Sequence, residues 1–231
     1  MGNLAIIPAR GGSKRIPRKN VKEFCGKPIV AYAIEAALQS GLFEEVMVST
    51  DDAEVVQIAK QYGASIPFLR SEATANDYAP LNDVMCEVLR EYEKRGRTFD
   101  YFFCLYPTSP FVNPKILHGM WQQLQENPDA NGSIAMIPYN FPPQRAMYIN
   151  ERGVAVYLYP EHAMARSQDL VPCFNDAGMC YTGKTEIYLN APEKIGEELP
   201  FMIPAIYAQD VDTEEDWQIA EFKYQWLLKN K

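Results

Sequence analysis

The sequence has little positive charge, no long apolar stretch and few groups suited to metal or nucleophilic chemistry. Its 22 lysine and arginine residues are outnumbered by 30 aspartate and glutamate residues, for a net charge of -8 at pH 7. This deficit argues against a broad nucleic-acid-binding face. No apolar run approaches the about 20 residues that cross a bilayer, and the first residues do not follow a signal-peptide pattern. We therefore expect a cytoplasmic protein with neither a nucleic-acid nor a membrane partner.

Cysteine and histidine are too sparse and too scattered for several types of site. The five cysteines are odd in number and form no C-x-x-C pair, so neither a disulfide framework nor a zinc site is indicated. The two histidines, His118 and His162, lie far apart and outside any serine- or cysteine-nucleophile motif. A triad hydrolase is therefore disfavoured.

Strand and helix patterns alternate along much of the chain. Continuous apolar runs of strand length are typical of strands covered on both faces of a sheet. Strands are predicted at 4–8, 46–50, 101–106, 133–138, 186–189 and 204–208. Helices are predicted at 27–39, 51–62, 81–95, 114–127 and 213–229. This order predicts an α/β fold with a mainly parallel sheet flanked by helices, in a single domain spanning residues 1–231.

One segment interrupts this alternation. Residues 139–175 begin with a stretch rich in proline and tyrosine and contain a probable hairpin, 147–149 against 154–158. We expect an inserted arm that projects from the sheet. Exposed aromatic side chains on such an arm favour contact with a second copy in a homodimer, and an internal lid is the alternative.

The start of the chain combines a strand, a glycine pair and a concentration of positive charge. Gly11 and Gly12 follow the first apolar run directly. The cationic residues are Arg10, Lys14, Arg15, Arg18 and Lys19. Glycine allows the backbone to approach phosphates, and the cations neutralise them. Neither G-x-x-x-x-G-K-[ST] nor G-x-G-x-x-G is present, so the loop predicts a polyanionic ligand, foremost a nucleoside triphosphate, outside those two motifs. A merely solvated basic loop is the alternative.

Two acidic pairs are candidates for metal binding or helix capping. Asp210 and Asp212 are two residues apart, and on an extended segment such residues point to the same side. Two carboxylates so placed can hold Mg²⁺. Alternatively, Asp212 merely precedes a helix that begins with a capping box of Thr213 and Asp216. For Asp51 and Asp52 we expect both carboxylates to serve the start of the following helix.

Several motifs together resemble one enzyme family. Residues 7–20 match the pattern I-P-A-R-G-G-S-K-R-I-P-x-K-N throughout. Residues 26–29, 48–51 and 106–110 resemble G-K-P-[LI], V-S-T-D and Q-P-T-S-P, and residues 210–216 resemble D-I-D-T-x-E-D. These are signatures of the acylneuraminate cytidylyltransferase family, which makes CMP-activated nonulosonic acids. The resemblance covers nearly the whole chain except the arm.

The resemblance implies a Rossmann-like nucleotidyltransferase fold and a reaction. The anomeric hydroxyl of a nonulosonic acid attacks the α-phosphate of CTP, pyrophosphate leaves, and Mg²⁺ assists. The residues implied to bind CTP are Arg10, Gly11, Gly12, Ser13, Lys14, Lys19, Asn20 and Arg70. Asp210 and Asp212 would hold the metal, and Arg10, Lys14 and Asp212 would be catalytic.

Some positions depart from the N-acetylneuraminate pattern and resemble the pseudaminic acid branch. Tyr106 replaces a glutamine, and residues 76–83 replace a hydroxyl-rich segment. Tyr106, Gln144, Arg145 and Tyr181 are the residues implied for sugar binding, although Tyr181 is as readily a core residue. Enzymes for N-acetylneuraminate, legionaminate or 3-deoxy-manno-octulosonate are alternatives. A catalytically silent nucleotide-binding protein is a further one, and the glycine spacing disfavours a Rossmann-type oxidoreductase.

Overall fold

A computed structural model describes residues 2–191 and 194–230, which form ten β-strands and seven α-helices. The strands are β1 Asn3–Pro8, β2 Glu23–Phe24, β3 Lys27–Pro28, β4 Glu45–Ser49, β5 Tyr101–Leu105, β6 Gly132–Pro138, β7 Met147–Ile149, β8 Ala155–Tyr157, β9 Phe174–Lys184 and β10 Leu199–Met202. The helices are α1 Ile29–Ser40, α2 Ala53–Gln61, α3 Glu72–Ala75, α4 Leu81–Lys94, α5 Pro114–Glu126, α6 Thr185–Asn190 and α7 Glu214–Lys229. None of these helices is long and apolar enough to cross a membrane.

Six strands form the central sheet, in the order β10-β6-β9-β5-β1-β4. Strand β1 pairs in parallel with both β4 and β5, so that Leu4 lies between Glu45 and Phe102. Strand β10 is parallel to β6, whereas β9 runs antiparallel to both β5 and β6. The prediction of a mainly parallel sheet is confirmed, with β9 as the exception.

Helices cover both faces of the sheet and bury β1 except for its last residue, Pro8. Ala5 and Ile7 belong to a core shared with α1, α5 and α7. Leu4 and Ile6 belong to a second core on the opposite face, shared with α4 and α6. Because alternate side chains of a strand face opposite ways, a strand covered on both sides must be apolar at every position. This explains the continuous apolar run at the start of the chain.

Several helix ends follow from local sequence. Asp52 caps α2, and its carboxylate accepts the backbone N–H groups of Glu54 and Val55 at 2.9 and 3.0 Å. Gly41 ends α1 in the left-handed region at φ 63°, which favours glycine. The predicted start of α1 is two residues too early, because Lys27 and Pro28 pair with β2 as a short strand.

The strands predicted in the last part of the chain were wrong. Residues 186–189 belong to helix α6, and Ala205–Tyr207 is a short 3-10 helix. The strands there are β9, which was not predicted, and β10. Strand β9 contains glycine and polar residues and lacks β-branched runs, so its own preference for a strand is weak. Pairing with β5 on one side and β6 on the other holds it extended.

The arm forms a separate small structure. Strands β7 and β8 pair only with each other, as the predicted hairpin. At the base of the arm, the N–H of Tyr139 donates to the carbonyl of Cys173 at 3.1 Å, which closes the insertion. Large apolar side chains on the arm face solvent: Phe141 is 86% exposed and Met164 94%.

Candidate active site

The basic loop leaves the carboxyl end of β1 and is fastened at both ends. The N–H of Ala9 donates to the carbonyl of Ser49 at 2.9 Å, which ties the loop to β4. The buried side chain of Asn20 donates from Nδ2 to the carbonyl of Arg10 at 2.8 Å. Asn20 therefore holds the shape of the loop. The basic loop thus lies where ligands of open α/β sheets bind, beyond the carboxyl ends of the strands.

The glycine pair allows a close approach between the loop and the start of α2. The N–H of Gly11 donates to Asp51 Oδ1 at 3.1 Å. A Cβ atom at position 11 would lie 2.6 Å from Asp52 Oδ2, so any larger residue would displace the side chain that caps α2. Nothing lies within 4 Å of such an atom at Gly12. The prediction that both Asp51 and Asp52 serve the helix was wrong for Asp51, which binds the loop backbone instead.

A cavity of about 470 Å³ opens beside the loop. Its lining residues are Pro8, Arg10, Ser13, Lys14, Arg15, Lys19, Asn20, Asp77, Tyr78, Pro107 and Thr108. Most side chains predicted to bind the triphosphate therefore meet at one cavity. Its walls are strongly basic, in a protein whose net charge is negative.

Arg18 is the one cation of the loop that lies outside this lining. Its guanidinium binds the carboxylates of Asp52 and Glu54 at the start of α2. The residue adopts a left-handed conformation, with φ 59°. The guanidinium holds the pKa of Asp52 at about 2, below its usual range. Arg18 thus anchors the loop to the fold.

An acidic residue faces the cavity from the loop between α3 and α4. The carboxylate of Asp77 pairs with Arg10 at 2.8 Å and also with Lys14. Arg10 donates in addition to the carbonyl of Asn76 at 2.8 Å. The sequence analysis gave Asp77 no role. The sequence analysis named residues 76–83 only as a departure from the N-acetylneuraminate pattern, which does not show that this loop lies against the basic residues.

The distant acidic pair lies beside the basic loop, where Asp212 contacts two cations that line the cavity. Lys19 donates from Nζ to the carbonyl of Val211 at 2.5 Å and lies 3.4 Å from Asp212 Oδ1. Arg15 pairs with the other carboxylate oxygen of Asp212 at 2.7 Å. The side chain of Asp212 therefore faces the basic loop and does not cap α7.

The cap of α7 is a separate feature built from the next residues. Thr213 and Asp216 form the predicted capping box, in which the N–H of Thr213 donates to Asp216 Oδ2 at 2.8 Å. Val211 is fully buried between the two carboxylates, as expected for an extended segment. Burial and the neighbouring charge of Asp212 raise the pKa of Asp210. Capping and a clustered acid pair thus occur side by side.

Arg70 lies behind the main cavity. It is only 8% exposed and donates from Nε and Nη2 to Ser49, at 3.1 and 2.8 Å. Burial lowers its pKa. With Arg10 and Asp77 it lines an adjoining cavity of about 210 Å³. The structure therefore places Arg70 next to the predicted triphosphate residues and not among them.

Tyr106 directly follows β5 and faces a bulge in β9. Its hydroxyl lies 3.4 Å from Asp176 Oδ2, and the other oxygen of Asp176 accepts the N–H of Gly178 at 2.8 Å. Gly178 adopts φ 61° and packs against Asp210. Asp176, which the sequence analysis did not assign to the site, thus connects Tyr106 with the neighbourhood of the acidic pair. The packing of its carboxyl raises the pKa of Asp176.

The other residues predicted for sugar binding lie away from the cavity. Tyr181 is 7% exposed and packs behind Tyr106, in the core with Phe102. Gln144 and Arg145 lie in a short 3-10 helix of the arm, where Gln144 donates to the carbonyl of Val171 at 2.8 Å. Neither Gln144 nor Arg145 is among the described residues that line the cavity within the same chain.

The geometry suits a ligand with several negative charges and a metal ion. Cations on one side would neutralise phosphates, and the backbone of Gly12 and Ser13 is open to them. The carboxylates on the other side suit a hard divalent cation. No group of three or more His, Cys, Asp or Glu side chains within residues 2–191 and 194–230 is arranged to hold a metal. A metal bound here would need oxygen ligands from water or from the ligand itself.

Comparisons with known proteins agree with this geometry. Residues 4–211 match the family model described as cytidylyltransferase. The chain is 39% identical over 226 residues to a pseudaminic acid cytidylyltransferase of Campylobacter jejuni subsp. jejuni serotype O:2, covering 97% of each protein. It is 33% identical to a CMP-N,N'-diacetyllegionaminic acid synthase of Legionella pneumophila subsp. pneumophila, covering 94% of each.

A solved structure shares the fold. It is a CMP:2-keto-3-deoxy-manno-octonic acid synthetase complexed with CTP, with a TM-score of 0.71, 20% identity and coverage of 99% of this chain and 100% of the other. The predicted Rossmann-like α/β fold is confirmed. The family match over residues 4–211 and the identity to full-length relatives lead to one assignment: the chain belongs to the cytidylyltransferase family and is a nucleotidyltransferase.

Proposed function

We propose that this chain transfers CMP from CTP to the anomeric hydroxyl of pseudaminic acid and releases pyrophosphate. The observation that carries the proposal is that Asp212 of the acidic pair contacts Lys19 and Arg15, two cations of the basic loop that line the cavity. The names of the relatives support the choice of reaction. The relative at 39% identity is named for pseudaminic acid, and the one at 33% for a legionaminic acid derivative.

The basic side chains would act on the triphosphate. Arg10 and Lys14 would stabilise the charge that grows on the α-phosphoryl oxygens and on the departing pyrophosphate, with Arg15 and Lys19 beside them. The N–H groups of the glycine pair and Ser13 would orient the phosphates. The sugar hydroxyl would lose its proton to a carboxylate of the acidic pair while its oxygen bonds to the α-phosphorus.

Cytidylyltransferases of this fold generally use a divalent metal ion, and we propose that here it is Mg²⁺. Asp210 and Asp212 would hold it. They fit it because both are hard oxygen donors and because burial and the charge of Asp212 raise the pKa of Asp210, an effect that a divalent cation would oppose. When bound, the ion supplies charge neutralisation at the phosphates. Lys19 and Arg15 hold Asp212 toward the cavity.

We also propose that residues 1–231 form one catalytic domain and that the arm, residues 139–175, contacts a second copy in a homodimer. The apolar side chains exposed on the arm support this contact. Gln144 and Arg145 lie on the arm, so such a contact is also the means by which they would approach a sugar.

The direct test is a pyrophosphate-release assay with CTP, Mg²⁺ and a panel of nonulosonic acids. We expect the highest kcat/KM with pseudaminic acid. Absence of pyrophosphate release with every sugar of the panel would overturn the proposed reaction. A preference for N-acetylneuraminic, legionaminic or 3-deoxy-manno-octulosonic acid would overturn only the assignment of pseudaminic acid as the substrate. Full activity without a divalent ion, in excess chelator, would overturn the proposal that the reaction requires a metal.

A further inference from the structure

Helix α7 is apolar on two opposite faces. Its inner face packs into the core through Trp217, Ala220, Tyr224 and Leu227. At about 100° per residue, Ile219, Phe222 and Trp226 lie about 150° away around the helix axis. They are 40, 71 and 48% exposed. A helix at a protein surface usually carries polar residues on the side away from the core. This second apolar face would therefore be stabilised by contact with another apolar surface.

The spacing of the outer face is that of a helix–helix seam. The residues along it follow one another at intervals of four, three, four and three, and are Glu215, Ile219, Phe222, Trp226 and Lys229. This is the a/d spacing by which one helix packs against another. The seam extends for about 21 Å along the helix, at 1.5 Å per residue.

The charges at the two ends of the seam make it complementary to itself. Glu215 lies in the first turn of α7 and Lys229 in the last, and both are exposed. Neither side chain forms an ion pair with another residue in the part of the chain that the structure describes. Each lies seven residues from Phe222. An antiparallel pair of α7 helices crossing at Phe222 places each Glu215 beside Lys229 of the other copy, whereas a parallel pair would place like charges together.

We propose that the outer face of α7 binds the same face of a second copy of this chain, antiparallel and centred on Phe222. The contact is isologous, so each of its interactions occurs twice. It is separate from the contact proposed for the arm and does not depend on the reaction. Where both contacts form, each chain joins two others.

The area buried between the two helices determines how strongly they should associate. The exposed parts of three apolar side chains on each copy amount to about 600 Å² in total, taking about 100 Å² for each from the size of aromatic side chains. Stable interfaces bury about 1,200 Å² or more. We therefore expect weak association, with Kd in the micromolar range, so that the mass rises with protein concentration.

Sedimentation equilibrium over a range of concentrations tests the contact. The wild-type chain should show a rising mass, and Phe222→Glu should lose the part of this rise that exceeds a dimer formed by the arm, because two buried carboxylates would face each other at the crossing point. Leu69→Glu is the matched control, since Leu69 is 60% exposed and lies outside α7. Circular dichroism checks that each variant is folded. If the folded Phe222→Glu chain has the same mass profile as wild type, the proposal is overturned.

Charge reversal then tests the orientation. Glu215→Lys or Lys229→Glu alone should raise Kd about threefold or more, because each places like charges together at both ends of the seam. An equimolar mixture of the two single variants should form a mixed pair at about wild-type strength, since every charge then meets its opposite. The double variant in one chain should likewise recover. A mixture that associates no better than either variant alone would overturn the antiparallel arrangement.

Discussion

Lys19 joins the basic loop to the acidic pair, since its Nζ donates to the carbonyl of Val211 at 2.5 Å and lies 3.4 Å from Asp212 Oδ1. The carbonyl contact fixes the ammonium group independently of the carboxylate, because a backbone oxygen cannot turn away. Asp212 can therefore bind another cation without releasing Lys19. Two segments that are 193 residues apart in sequence are thereby brought into direct contact.

Replacing Asp212 by asparagine should abolish turnover and leave the fold intact. Asparagine keeps the size of the side chain but removes the charge that would hold the metal. We expect kcat to fall by about 100-fold or more, the scale of effects at metal sites, and Tm to change by no more than about 4 °C, since exposed ion pairs contribute little. Pyrophosphate release and thermal unfolding measure the two quantities.

Glu214→Gln is the matched control for this variant. Glu214 is an acid two residues away, but it pairs with Lys22 at 2.7 Å, whereas Asp212 pairs with Arg15 and Lys19 of the basic loop. Its neutral form should retain turnover within about twofold, because the lost ion pair is exposed. Near-normal rates for Asp212→Asn would contradict the assignment of a catalytic role to Asp212.

Replacing Asp77 by asparagine should tighten the binding of CTP. The carboxylate of Asp77 pairs with Arg10 and Lys14, the same cations that a triphosphate would need. These exposed ion pairs are weak and must be broken when the nucleotide binds. We expect Kd for CTP to fall about two- to fivefold in calorimetric titrations. A weaker affinity would mean that Asp77 orders the two cations for the nucleotide and does not compete with it.

The parts of the fold that were predictable depend on local chemistry. The apolar run of β1, the cap of α2 at Asp52 and the capping box of Thr213 and Asp216 each follow from residues close in sequence. Strand β9 could not be predicted, because pairing on both of its edges and not the preference of its residues holds it extended. The bulge that places Asp176 beside Tyr106 depends on the same pairing.

The site was predictable only as two separate halves. The sequence indicated a basic loop and an acidic pair, but not that Lys19 binds the carbonyl of Val211. It did not place Asp77 opposite Arg10, because Arg10 lies in the loop after β1 and Asp77 in the loop between α3 and α4. Asp51 was assigned to the helix for its position beside Asp52, whereas the close approach of Gly11 directs it to the loop.

Tyr106→Phe should weaken sugar use without affecting the nucleotide. The change removes the hydroxyl that lies 3.4 Å from Asp176 and keeps the ring that packs on Tyr181. We expect KM for pseudaminic acid to rise about tenfold, the value of one hydrogen bond to a charged group, and KM for CTP to stay within about twofold. Steady-state kinetics with each substrate varied in turn separates the two constants.

Asp176→Asn should act through the same pair. Because Tyr106 and Asp176 contact each other, the effects of the two variants on KM for the sugar should not add. Cys86→Ser serves as the control, since Cys86 lies on α4 and donates to the carbonyl of Tyr188. Fully additive effects would show that the two side chains act independently.

The ion pair between Arg18 and Asp52 should make stability depend on pH in acid. The guanidinium lowers the pKa of Asp52 from 3.8 to about 2 in the folded chain. A lowered pKa stabilises the folded state above the unfolded value near pH 4, and this contribution is lost as the pH falls toward 2. Asp52→Asn keeps a residue that caps helices well but removes the charge. Because Arg18 is partly exposed, we expect a loss of about 1 kcal/mol at pH 6, shrinking at pH 3. Guanidinium chloride unfolding measures it, and a difference independent of pH would contradict the link.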